Sequence, residues 1–228
     1  MPQYTVVKIG GHVLFKDGEL DLNYLKRFRN IISEAVALFD GMVIVVGGGA
    51  LARKYISWGK LIELNESILD DIGIRIARVN ASLLWAYYHG VTPPRIPETL
   101  NDAVNALPAW KVVFVGGFQP GQSTTTVAAL IAEALKAAKL VIATDVDGIY
   151  ESDPKINPEA KKLDEVPVTR IENMFAKNLR AGQYKLLDPL TISIIARSKI
   201  ETHVVNGNPP DNILKVLQGE KIGTRIVP

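Results

Sequence analysis

Apolar residues follow two rhythms along this chain. Short unbroken runs at Thr5-Val6-Val7-Lys8-Ile9, Met42–Val46, Lys111–Val115 and Leu140–Thr144 are rich in β-branched residues. Runs without alternation predict strands covered on both faces. Between them apolar positions recur at steps of three and four. Leu22, Leu25, Phe28, Ile31, Ile32, Ala35, Val36 and Phe39 predict an amphipathic helix over 22–39. Two long helices follow near 50–62 and 67–89, the second carrying Ile68, Ile72, Ile76, Val79 and Leu83 on one face. Thr92-Pro93-Pro94 breaks the pattern, a short helix covers about 98–107, and an alanine-rich helix covers 125–138. Pro154, Pro158 and Pro167 mark 151–167 as a surface loop. A helix near 189–198, a strand at His203–Asn206, a helix over 210–218 and a strand over 222–227 complete the chain.

Strands alternating with helices predict an α/β fold, a three-layer αβα sandwich around a central, mostly parallel sheet. The 228 residues fit a single domain, with no linker, internal repeat or low-complexity segment. Composition narrows the chemistry further. The 26 Lys+Arg against 24 Asp+Glu leave a net charge of +2, too small to argue for nucleic acid or an anionic membrane as partner. The absence of Cys removes a disulfide framework, a thiolate zinc site and a cysteine nucleophile together, and suits a reducing cytoplasm. Met1-Pro2-Gln3-Tyr4 leads directly into a strand pattern with no leader-like segment, and no apolar run is long enough for a membrane span.

Three of the strands end in glycines: Gly10-Gly11, Gly47-Gly48-Gly49 and Gly116-Gly117. In parallel sheets ligands sit at the carboxyl ends of strands. Glycine there lets bare N–H groups point at an anion, and a following helix adds its positive end. One such loop alone reads best as a tight turn, whereas three in one sheet point to an anion site. Neither G-x-G-x-x-G nor G-x-x-x-x-G-K-[ST] is present, which disfavours a dinucleotide dehydrogenase or a P-loop NTPase. Lys8 interrupts an apolar strand two residues before Gly10. An edge lysine could snorkel to solvent, but the adjacent glycines favour a cation held over phosphates. Thr144-Asp145-Val146-Asp147-Gly148-Ile149-Tyr150, then Asp153-Pro154, lacks the spacing and closing Glu of a calcium loop.

Together V-V-K-I-G-G, V-V-G-G-G-A-L-A-R-K-Y and T-D-V-D-G-I-Y-x-x-D-P resemble the amino acid kinase family over essentially the whole chain. Within that family G-G-F-Q-P-G-Q-S-T at 116–124, Asp70-Asp71-Ile72-Gly73, Arg78-Val79-Asn80-Ala81 and Leu187-Asp188-Pro189-Leu190 are similar to the archaeal type of UMP kinase. The resemblance implies transfer of the γ-phosphoryl of ATP, with Mg²⁺, to UMP, in pyrimidine nucleotide biosynthesis. It implies an acceptor lobe over about 1–138 and an ATP lobe over about 139–228. It also implies a cytoplasmic homo-oligomer, a hexamer in that group, with no metal site of the protein's own. Lys8, Ile9, Gly10, Gly11 and His12 would line the ATP phosphates, with Lys8 at the transferred group, and Gly49 and Arg53 would face ATP. Thr144, Tyr150 and Asp153 would hold the adenosine. Gly48 would face the UMP phosphate, Asp70 the acceptor nucleoside, and Phe118, Gln119, Pro120, Gly121, Gln122, Ser123 and Thr124 would wrap UMP. Asp188 and Asp147 would orient Lys8. Three positions depart from the family pattern: His12 where many members have Ser or Lys, Thr126 where several place Asp, and Asp145 where relatives carry Asn or Lys.

Other readings share the fold. Isopentenyl phosphate kinases carry a histidine in the helix after the glycine triplet, where this chain has Ala50-Leu51-Ala52-Arg53-Lys54-Tyr55. An amino-acid kinase such as acetylglutamate kinase fits the Q-P-G-Q-S-T loop less well, and a nonenzymatic nucleotide- or oxyanion-binding protein has no need of Lys8. The 67–89 helix could supply a dimer face or core. His89 and His203 lie outside the motifs and read as structural.

Overall fold

The computed structural model describes residues 2–16, 18–152, 154, 156–178 and 187–227. The first half runs β1 (Tyr4–Ile9), α1 (Gly11–Leu14), β2 (Phe15–Lys16), β3 (Glu19–Leu20), α2 (Leu22–Leu38), β4 (Gly41–Val46), α3 (Gly49–Leu61), α4 (Glu66–Tyr87) and α5 (Leu100–Ala106). It continues with β5 (Val112–Val115), α6 (Thr124–Leu135), β6 (Lys139–Thr144), β7 (Ile149–Tyr150), β8 (Lys162–Leu163), β9 (Glu165–Pro167) and α7 (Val168–Asn178). It closes with α8 (Pro189–Ser198), β10 (Thr202–Asn206), α9 (Asp211–Leu217) and β11 (Thr224–Val227). Seven strands form one sheet in the order β5-β4-β1-β6-β10-β11-β9. Every pairing in it is parallel except β10 with β11.

The pleat divides each buried strand between two cores. Val6, Val43, Val45, Val113, Leu140 and Ile142 pack on one face with Val127 and Ile131 of α6 and Ile192 and Ile195 of α8. Val7, Ile9, Met42, Ile44, Phe114 and Val141 pack on the other with Phe28 and Ile32 of α2, Leu84 of α4 and Ile213 of α9. This is the three-layer sandwich that the apolar runs predict. Both faces are buried, so a one-residue slip of β1 would swap its whole apolar set between the cores. Lys8 shares the parity of Val6 and emerges on the α6 face.

Several elements differ from the expectation. The 151–167 stretch is not all loop, because β8 and β9 lie within it. Their two and three residues are too short to show a period, and Pro167 is tolerated because β9 is an edge strand. The unexpected α7 has mostly polar residues in its first two turns. The alanine-rich helix stops at Leu135 because Lys136 adopts a left-handed cap with φ 48°. The singled-out stripe of α4 faces outward: Ile68, Val79 and Leu83 are exposed, whereas Leu69, Ile74, Ala77, Asn80, Ala81 and Leu84 are buried. Among the described residues no helix is long and apolar enough to cross a membrane.

Candidate active site

The loops leaving β1 and β4 meet backbone to backbone. A Cβ on Gly11 would lie 2.5 Å from the Gly49 nitrogen and 2.6 Å from the Gly47 carbonyl oxygen. Only glycine permits that approach. Gly10 N donates to Ala143 O at 3.1 Å and Gly47 N to Ile9 O at 2.9 Å, so both loops are fixed to the sheet. Gly48 is right-handed helical, with φ −74° and ψ −21°, and Gly49 has φ +66°. That right-then-left sequence turns successive N–H groups to one side as an anion-binding nest, here at the N-terminus of the 13-residue α3. Gly116 and Gly117 serve a different need. A Cβ on Gly116 would lie 2.7 Å from Arg78 N, and one on Gly117 2.9 Å from Ile74 Cγ1. At this third loop the glycines let α4 approach the strand end.

Lys8 lies in the middle of the sheet, flanked by Val45 of β4 and Ile142 of β6. It is therefore not an edge lysine. Burial pushes its ammonium down from 10.5 to about 8, partly opposed by the negative charge of Asp145. The carboxylate acting on Lys8 is thus that of Asp145, three residues beyond its Ile142 neighbour. Asp145 also accepts from Thr144 Oγ1 at 3.2 Å and lies 3.6 Å from His12 Nε2. The imidazole of His12 folds over Gly10, where a Cβ would strike the ring.

Asp188 and Asp147, expected to orient Lys8, are engaged elsewhere. Asp188 caps α8 and accepts from Thr191 N at 2.9 Å, Thr191 Oγ1 at 2.6 Å, Ser123 Oγ at 2.6 Å and Thr126 Oγ1 at 2.8 Å. Burial alone would raise its pKa, but these bonds outweigh burial and hold it below the usual carboxylate range. Asp147 Oδ1 accepts from Asn206 Nδ2 at 2.8 Å. Thr126 is buried between Asp188 and Thr191 as part of the same polar knot.

The 118–124 loop runs from β5 to the N-cap of α6, where Ser123 Oγ accepts from Thr126 N at 3.0 Å. Exposed Asp70 reaches across from α4, its Oδ2 accepting from Gly121 N at 2.8 Å. Its other oxygen remains available to a ligand hydroxyl. Beside it in the loop, Gln122 Oε1 is buried without a protein hydrogen-bond partner. Phe118, Gln122 and Thr124 are half-buried, while Gln119, Pro120, Gly121 and Ser123 are exposed. Thr144 is buried at the end of β6, Tyr150 is half-buried in β7 and Arg53 is exposed on α3. Asp153 lies outside the described residues. His203 bonds Glu201 at 2.8 Å in β10.

Two further residues of α4 hold this site, and the sequence reading gave them no task. Arg78 donates from Nε to Gly117 O at 2.9 Å and from Nη2 to Phe118 O at 3.2 Å, with Nη1 on Glu98 at 2.7 Å. Asn80 donates to Gly47 O at 2.9 Å and Gly48 O at 3.3 Å. The available signal was an asparagine among the apolar inward positions Ala77, Ala81 and Leu84.

The sequence profile of the Amino acid kinase family matches residues 3–206. A uridylate kinase of Thermofilum pendens is 46% identical over 221 residues, 96% of this chain and 94% of that one. A uridylate kinase of Sulfurisphaera tokodaii is 42% identical over 225 residues, 98% of each chain. The crystal structure of uridylate kinase from Archaeoglobus fulgidus superposes with a TM-score of 0.86 at 34% identity, covering 100% of both chains.

Proposed function

The chain belongs to the amino acid kinase family, and from that premise we propose that it is a UMP kinase, moving the γ-phosphoryl of ATP onto UMP to give UDP and ADP. Uridylate kinases at 46% and 42% identity over nearly the full length support the reading. The observation that carries the acceptor is the contact of the polar 118–124 loop with α4, where Asp70 Oδ2 accepts from Gly121 N at 2.8 Å. Gln119, Gln122 and Ser123 of that loop carry the donors and acceptors that suit a uracil edge, while the free oxygen of Asp70 takes a ribose hydroxyl.

In this reading the N–H groups of Gly48 and Gly49 face the acceptor and donor phosphates, with Gly10, Gly11 and His12 along the ATP chain. Thr144, Tyr150 and Asp153 of the ATP lobe, 139–228, complete the ATP side, joined by Arg53 from the acceptor lobe, 1–138. Lys8 stands where charge spreads over the oxygens of the moving group. A fixed cation there lowers the barrier without reorganising. Asp145 holds the ammonium in its charged form, and Asp188 secures the acceptor loop through Ser123. Mg²⁺ belongs to the MgATP substrate and supplies charge neutralisation when bound.

The enzyme serves pyrimidine nucleotide synthesis in the cytoplasm as a homo-oligomer, by resemblance a hexamer. Leu51, Tyr55, Trp58 and Leu61 of α3 and Val79 and Leu83 of α4 are exposed apolar residues. A face of that kind marks an interface, and a second copy covers it.

The test is a coupled ADP-release screen with UMP, CMP, dUMP, AMP, isopentenyl phosphate and acetylglutamate as acceptors. A site that hydrogen-bonds a base edge rejects acceptors lacking that edge by about 10²–10⁴-fold in kcat/KM. Equal turnover of AMP or isopentenyl phosphate would refute the assignment.

A further inference from the structure

Asn80 sits on the inward stripe of α4 and is 5% exposed. An apolar residue would pack there at less cost, since asparagine is a poor helix former and a buried amide must be satisfied. Its Nδ2 donates to both Gly47 O and Gly48 O, at 2.9 and 3.3 Å. Two carbonyl acceptors on one side also fix which end of the amide faces them.

The geometry of the peptide unit gives this contact a consequence. In a trans peptide the C=O and the following N–H point in opposite directions. The Gly47 carbonyl shares its peptide with the Gly48 N–H, and the Gly48 carbonyl with the Gly49 N–H. Drawing both carbonyls toward α4 turns both N–H groups away from it. That direction leads to the β1 loop, where the Gly49 nitrogen is the atom that a Cβ on Gly11 would meet at 2.5 Å. We propose that Asn80 is a positioning residue for phosphate recognition: it clamps the two carbonyls so that the Gly48–Gly49 nest presents its donors before any ligand arrives. The proposal rests on the phosphotransferase reading above and adds the residue that preorganises it. The side chain is specific to the task. Aspartate would set a carboxylate against two carbonyls, and alanine would take the side-chain donor from both, leaving Gly48 O only the Ala52 N–H at 3.3 Å.

The test compares wild type, Asn80→Asp and Asn80→Ala by thermal melting and by calorimetric titration with two pairs of ligands, UMP against uridine and ATP against adenosine. Within each pair the ligands differ only in phosphate. The expected result is a folded variant whose nucleoside affinities stay within about twofold while its nucleotide affinities fall about 10–100-fold, the scale of charge-assisted hydrogen bonds lost from a preorganised site. Asn80→Ala is the second reading should the aspartate prevent folding. Unchanged nucleotide-to-nucleoside ratios would overturn the proposal. So would equal losses for both members of each pair, or failure of both variants to fold, because either makes Asn80 a scaffold residue. A wild type that does not prefer UMP to uridine would instead refute the acceptor assignment, and the ATP pair would still judge Asn80.

Discussion

Replacing Lys8 by Met separates its cost to the fold from its service to the reaction. The displacement of its ammonium from 10.5 to about 8 corresponds to at most about 3 kcal/mol by which the charged form is disfavoured in the folded protein. The sign follows from linkage. Below pH 8 both folded and unfolded chains hold the proton and the full cost is present. Between 8 and 10.5 the folded chain gives up the proton while the unfolded chain keeps it, so wild-type stability rises with pH across that window. Methionine has nearly the same length and no charge. Lys8→Met is therefore expected to be more stable than wild type at pH 7 by about 1–3 kcal/mol, a net figure in which the attraction to Asp145 is already included. The gain should shrink toward zero near pH 10.5. Activity runs the other way. The variant should lose about 10²–10³-fold in kcat, the scale of one preorganised electrostatic contact. Wild-type kcat/KM, the quantity that reports the free enzyme, should fall as pH rises through about 8, where the ammonium is lost. Urea unfolding of both proteins from pH 7 to 10, beside kcat and kcat/KM over the same range, decides the matter. A stability difference independent of pH, or a folded Lys8→Met with near wild-type kcat, would refute the reasoning.

Asp70→Ala should raise the KM for UMP by about 10–150-fold and leave the KM for ATP nearly unchanged; equal effects in steady-state kinetics would place Asp70 in the scaffold. Asp188→Ala should destabilise the fold by about 1–2 kcal/mol through loss of the α8 cap. Because the folded-state pKa of Asp188 is depressed, its stabilisation is present above the ordinary carboxylate pKa and lost as pH falls below it, so denaturation from pH 7 to 3 should show a flatter acid limb in the variant. Val79→Asp, on the exposed side of α4, should shift sedimentation-velocity profiles to smaller species while leaving the monomer fold intact by circular dichroism. An unchanged profile would remove that face from the interface.

How much of this was readable in advance follows from the distance over which each signal acts. The strands β1, β4, β5 and β6 announce themselves because both faces are buried and their runs are therefore continuous. Lys8 and the Gly47–Gly49 triplet stood out because each violates or punctuates such a run. On α4 the exposed Ile68, Val79 and Leu83 are larger and more apolar than the Ala77, Asn80 and Ala81 that pack inside, so side-chain character alone leaves open whether that stripe is core or dimer face. Close packing against α3 and β5 selects small residues on the inward side, a demand visible only in three dimensions. The link between Lys8 and Asp145 was hidden because it depends on the register that sets Lys8 beside Ile142. The carbonyl contacts of Arg78 and Asn80 likewise join loops 30 to 40 positions away in the chain. Asp188 drew notice through a motif, but only the knot with Ser123, Thr126 and Thr191 shows what its oxygens hold.

The contact between Gly11 and Gly49 bears on inhibitor chemistry. Main chain meets main chain there, with no rotatable group between, so the separation of the two loops proposed to face phosphates is a fixed gauge. A compound joining a uridine to an adenosine through a phosphate bridge has to match that gauge. Avidity from linking two ligands peaks when the tether fits the span and vanishes when it is too short. Stepwise lengthening of the bridge should therefore give a sharp optimum in affinity, and bulkier side chains elsewhere in the cleft should leave the optimal length where it is.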